Sequence, residues 1–213
     1  VPVLDALKLP ANWTVRSEIP FGGFSATGQT AQGNAGAPLK ARWAPLVRAA
    51  DRYGRTRGTA FGIMHNYAGE YPGSSWAYSG IDSTDLFAVG SDAGRALLLA
   101  VVGRLADRAF LFDAAAAFRS VRPGEEVAPS VAVANASGAE RTFTVGLRVV
   151  SGSETLFTAS QPITVAPRSS EAVPFAFSAP REAPSDLLVL QFELSADARP
   201  IDSLKTGVVV WDE

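Results

Sequence analysis

Cysteine is absent from the 213 residues, and histidine and methionine occur once each, at His65 and Met64. The first absence excludes disulfides, thiolate metal sites and thiol nucleophiles together. It leaves the compartment open. A single histidine also removes any metal site built from several imidazoles, and no metal site or cofactor is expected. Lysine is scarce, three residues against sixteen arginines, and the formal net charge is -2. Such a balance lacks the broadly basic face that nucleic-acid binding requires. The longest purely apolar run, Ala96 to Val102, is much too short to span a bilayer. The chain opens at Val1 with neither an initiator Met nor a charged-then-apolar leader, a start that reads as a processed, trimmed or excised product. Glycines at 22, 23, 28, 33 and 36 follow no phosphate-loop order and precede no Lys-Ser/Thr pair, which argues against a nucleotide site.

What is present is a change of rhythm at FRSVRPGEEVAPSVAVANASG, Phe118 to Gly138. Beyond about Arg108 the apolar period is two. Phe143, Val145, Leu147 and Val149 alternate with Thr144, Gly146 and Arg148, and the beat returns in Leu188, Leu190, Phe192 and Leu194. One apolar and one polar face is the pattern of a half-buried antiparallel strand. Turn signals at Pro123-Gly124, Asn135 to Gly138, Ser151 to Ser153, Pro167 to Ser170 and Asp197 to Pro200 separate six or seven such runs. This spacing predicts an all-β immunoglobulin-like sandwich over residues 109–213. Pro129 and Pro162, which donate no backbone hydrogen bond, are expected at strand starts, edges or bulges. Trp211 is expected to close one end of the core.

Residues 1–108 read as a mixed α+β module, the end of a larger α/β domain being one form of it. Leu97, Leu98, Val101, Val102 and Leu105 recur at three- and four-residue steps, predicting a helix over Ser91 to Asp107 with Ser91 as its N-cap. A second helix is expected over Pro45 to Arg52. Strands are expected at Gly58 to Tyr67 and Ser75 to Ile81, and a loop over Phe21 to Gly36.

Two resemblances follow from these runs. RPGEEVAPSVAVANASG, with the later SGSET turn and VAPRSSEAVPF, resembles CARDB-type and related bacterial immunoglobulin-like modules, which serve as spacers or adhesive units in exported proteins. ARWAPLVRAADRYGRTRGTAFGIMHNYAGEYPGSSWAYSGIDSTDLF resembles the end of the degenerate class I glutamine-amidotransferase-like domain of multidomain bacterial glycoside hydrolases. The second resemblance implies no amidotransferase activity, because the nucleophilic cysteine is missing and His65 lacks the acidic partner at the triad spacing. Together they imply a non-catalytic accessory region of an exported (periplasmic or extracellular) carbohydrate-active protein. Its partners would be carbohydrate or the other domains or subunits of a larger enzyme.

The densest polar and aromatic cluster is His65, Asn66, Tyr67, Glu70, Tyr71 and Trp76. Aromatic faces stack on sugar C–H faces while Asn, Glu and His bond hydroxyls, so these six form a candidate glycan site. They equally suit a hairpin turning over Gly69 to Gly73, with Tyr67 and Trp76 packed across it. Two alternatives stay open. A structural assembly or adhesion protein needs no ligand pocket. A small hydrolase would need either Ser74 or Ser75 with His65 and Asp85, or Glu70 with Asp82 or Asp85 as a carboxylate pair. Lys40, Arg42, Arg48, Arg52, Arg55 and Arg57 around Asp51 read as a solvated charged face or a surface for an acidic partner. Asn12-Trp13-Thr14 and Asn135-Ala136-Ser137 match the glycosylation acceptor pattern, which also arises by chance.

Overall fold

The computed structural model describes residues 41–81, 92–182 and 185–211. The described residues are predominantly β-strand with one helix, and the chain divides after Arg108 into two units, 1–108 and 109–213.

In the first unit, β1 (Ala41–Ala50), β2 (Thr56–Asn66) and β3 (Ser75–Ser79) form an antiparallel meander in the order β1-β2-β3. The turn joining β1 to β2 is set by Asp51, whose Oδ1 accepts the backbone N–H groups of Tyr53 and Arg55 at 2.9 and 3.0 Å. Gly54 (φ 77°) supplies the left-handed residue. Helix α1 (Asp92–Asp107) lays Leu97 and Val101 against Phe61 and Ile63 of β2. Each such fully buried side chain contributes about 1.5–3 kcal/mol. Asp92 in the first turn complements the helix dipole, and Arg108 ends the helix in the left-handed conformation (φ 49°). The expected N-cap, Ser91, and the expected turn and loop at Asp82 to Asp85 and Phe21 to Gly36 lie outside the described residues.

The helix expected over Pro45 to Arg52 is instead the greater part of β1. Its Ala, Leu and Arg content favours helix locally. Cross-strand pairing with β2 over the whole of β1 overrides that preference. Pro45 is accommodated where the register shifts between Pro45 and Val47, one of the few places a strand tolerates proline.

In the second unit, β4 (Ala109–Ala116), β7 (Pro129–Asn135) and β10 (Ser169–Pro174) make a three-stranded sheet. A five-stranded sheet takes the order β5-β13-β12-β8-β9, from β5 (Ser120–Val121), β8 (Arg141–Ser151), β9 (Glu154–Val165), β12 (Leu187–Ala196) and β13 (Arg199–Val210). The short β6 (Glu126–Val127) and β11 (Phe177–Ser178) pair at the margin. One core lies between these sheets, with Leu111, Val131, Val133 and Val173 meeting Phe143, Val145, Leu147, Val149, Leu188, Leu190, Phe192 and Leu194. The alternation of β8 and β12 is the sequence period of two made physical. Pro129 opens β7, and Pro162 sits in β9 at the sheet margin. Trp211 does not close the core. It is 59% exposed, because Val208 points inward and alternation turns Val209 and Trp211 outward.

Two buried polar groups tie the sheets together. Asp202 of β13 accepts the backbone N–H of Leu111 in β4 at 2.9 Å. Asn135, fully buried at the end of β7, donates from Nδ2 to the carbonyls of Ala139 (2.8 Å), Val165 (2.9 Å) and Ala166 (3.2 Å). Its Oδ1 accepts from the backbone N–H and the hydroxyl of Ser137 at 3.1 and 2.7 Å. The hairpin between β12 and β13 turns through Asp197 (φ 50°) and Ala198 (φ 59°), the paired left-handed conformation that matches strand twist.

Candidate functional site

The six sequence-predicted residues fall on the β2–β3 hairpin and its loop. His65 lies on the helix-facing side of β2, two residues from Ile63, and is 1% exposed. Its Nδ1 is 2.8 Å from the Ser75 hydroxyl, the residue directly opposite in the ladder. The bond therefore staples β2 to β3. Asp82 and Asp85, the acids needed by the hydrolase readings, lie outside the described residues.

Asn66 builds the loop. Its Nδ2 donates to the Ser74 hydroxyl at 2.9 Å and toward the Ser74 carbonyl at 3.4 Å. The backbone closes the same ring, with the Asn66 N–H bonded to the Ser74 carbonyl at 2.9 Å and the Gly73 N–H to the Asn66 carbonyl at 2.7 Å. The Ser74 hydroxyl in turn donates to the Tyr71 carbonyl at 2.8 Å. Gly69 (φ 87°) and Gly73 (φ 79°) occupy left-handed positions that a side chain would strain. Tyr67 is half-buried, and Glu70 is exposed.

This scaffold presents two aromatic rings. Tyr71 is 57% exposed and Trp76 is 39% exposed, with ring centroids 5.5 Å apart and planes inclined by 55°. The rings contact each other, and the bonded loop sets the backbone that carries Tyr71. The structure thus gathers Tyr71 and Trp76 at the surface beside Glu70 in the chain, makes Asn66 a support, and puts His65 on the opposite, buried face.

Sequence reasoning missed the continuation of the aromatic face. Trp43 and Trp76 both pair with Met64 in the ladder, so all three project from the side of the sheet away from α1. Trp43 contacts Tyr78 at 6.0 Å between centroids and spreads over Gly62, where a Cβ would run into its indole carbons. The signal was a glycine inside a strand, which marks close approach by another group. At the far end of the hairpin, Arg52 and Arg55 lie over the Tyr53 ring at 4.7 and 5.1 Å, and Arg55 pairs with Asp51 at 2.9 Å. Those basic side chains are occupied locally in a solvated turn. Lys40 and the Arg57 side chain lie outside the described residues.

Among the described residues, no cluster of three acidic or histidine side chains is arranged to hold a metal ion, and no helix is long and apolar enough to cross a membrane.

No protein-family model matches the chain, and no curated protein matches it. Solved structures do. A Paenibacillus cycloisomaltooligosaccharide glucanotransferase complexed with cycloisomaltoheptaose is 24% identical with a TM-score of 0.42, over 49% of this chain and 15% of that one. A putative β-galactosidase from Bacteroides fragilis is 15% identical with a TM-score of 0.40, over 47% of this chain and 16% of that one. The sporulation control protein Spo0M of Bacillus subtilis is 18% identical with a TM-score of 0.36, over 49% of this chain and 50% of that one. The chain thus spans less than two thirds of each of these neighbours, several others of which are also glycoside hydrolases.

Proposed function

We propose that this chain is a non-catalytic accessory region of an exported, carbohydrate-active bacterial protein, contacting glycan through the β2–β3 hairpin. The observation that carries the reading is the Tyr71–Trp76 pair, exposed and in mutual contact on a hydrogen-bonded loop. The pair supplies the apolar part of a sugar site, with Glu70 as the neighbouring polar group. The sandwich of the second unit serves as spacer or docking module, in keeping with its sequence resemblance to immunoglobulin-like and CARDB-type modules. The expected resemblance of residues 40–108 to the end of an amidotransferase-like domain of glycoside hydrolases is the ground for reading the hairpin in the same context. A glycan array followed by calorimetry tests the reading. Binding that falls at least tenfold in Trp76→Ala supports it, and no binding to any glycan removes it.

A second reading, an assembly protein, has its own observation. Leu187 and Val209 are ladder partners that point away from the core. With Trp211 they leave an exposed apolar patch on the second unit, a feature typical of interaction surfaces. Light scattering of the full chain and of Trp211→Ser tests it, a loss of oligomer in the variant being the supporting result.

A further inference from the structure

We draw no further inference here: the strongest candidate, the exposed apolar patch that Leu187 of β12, Val209 of β13 and Trp211 form on the outer face of the five-stranded sheet, carries none because nothing in the structure shows what covers it.

Discussion

Replacing Asn135 with alanine should be among the most damaging single changes in the second unit, although the residue sits within a tripeptide that looks like a surface acceptor for glycosylation. The amide joins the end of β7 to the turn at Ser137 to Ala139 and to the end of β9. Truncation leaves the buried Val165 carbonyl without this donor, which costs about 1–3 kcal/mol. The Ala139 and Ala166 carbonyls are at partly exposed sites, where water substitutes. Loss of the bond to the Ser137 N–H adds roughly 1 kcal/mol, for a total of about 2–4 kcal/mol. A unit of this size loses roughly 4–8 °C per kcal/mol, so its melting temperature should fall by about 8–32 °C. Hydrogen exchange read by mass spectrometry on the β7 and β8 peptides isolates this unit from the other. Protection there should drop roughly 30- to 700-fold, at 1.4 kcal/mol per decade. Asn135→Asp should be worse than alanine, since it keeps the volume but turns a donor into a charged acceptor facing carbonyls. An alanine variant within about 0.5 kcal/mol of the parent, or an aspartate variant more stable than alanine, would refute the reasoning.

Other outcomes are expected from the same structure. Gly62→Ala should destabilise the first unit by about 1–3 kcal/mol, because its Cβ displaces the Trp43 indole; a shift in tryptophan emission together with a lower urea midpoint checks it. Ala198→Gly should stabilise the second unit by up to about 1 kcal/mol by relieving a left-handed alanine, an effect visible in the thermal transition. Asp202→Ala removes the acceptor of a buried N–H and should cost about 1–3 kcal/mol, read as faster exchange at the Leu111 amide. Protein secreted from a glycosylating host should carry no glycan on Asn135 in its folded fraction, as intact-mass analysis would show, because the amide nitrogen is buried and bonded.

Strands β8 and β12 were legible because burial on one face writes itself as a period of two, and every second residue meets one core. The helix α1 was legible for the equivalent reason, although Val102, counted into its apolar face, is exposed. Strand β1 was not. Its residues prefer helix when taken alone, and only the partner strand, distant in any local window, makes them extend. Trp211 was misplaced because a large apolar side chain reads as core, whereas strand parity decides its direction. The roles of Asn135 and Asp202 come from partners up to 91 positions away in the chain, which no motif encodes. In the candidate site, the aromatic cluster was visible as composition. The separation of His65 from Trp76 onto opposite faces needed the register of the hairpin.

The parallel pairing of β5 with β13 has a mechanical side. Val209 and Trp211 donate to the carbonyls of Arg119 and Val121, both at 2.9 Å, so the strand that finishes the described unit lies alongside one from its beginning, pointing the same way. Tension applied between the two ends of a spacer draws such strands past each other lengthwise and loads both bonds at once. Antiparallel neighbours in a hairpin, pulled from their free ends, instead release bonds one after another. Pulled between the start of β5 and the end of β13, this short contact is loaded in shear.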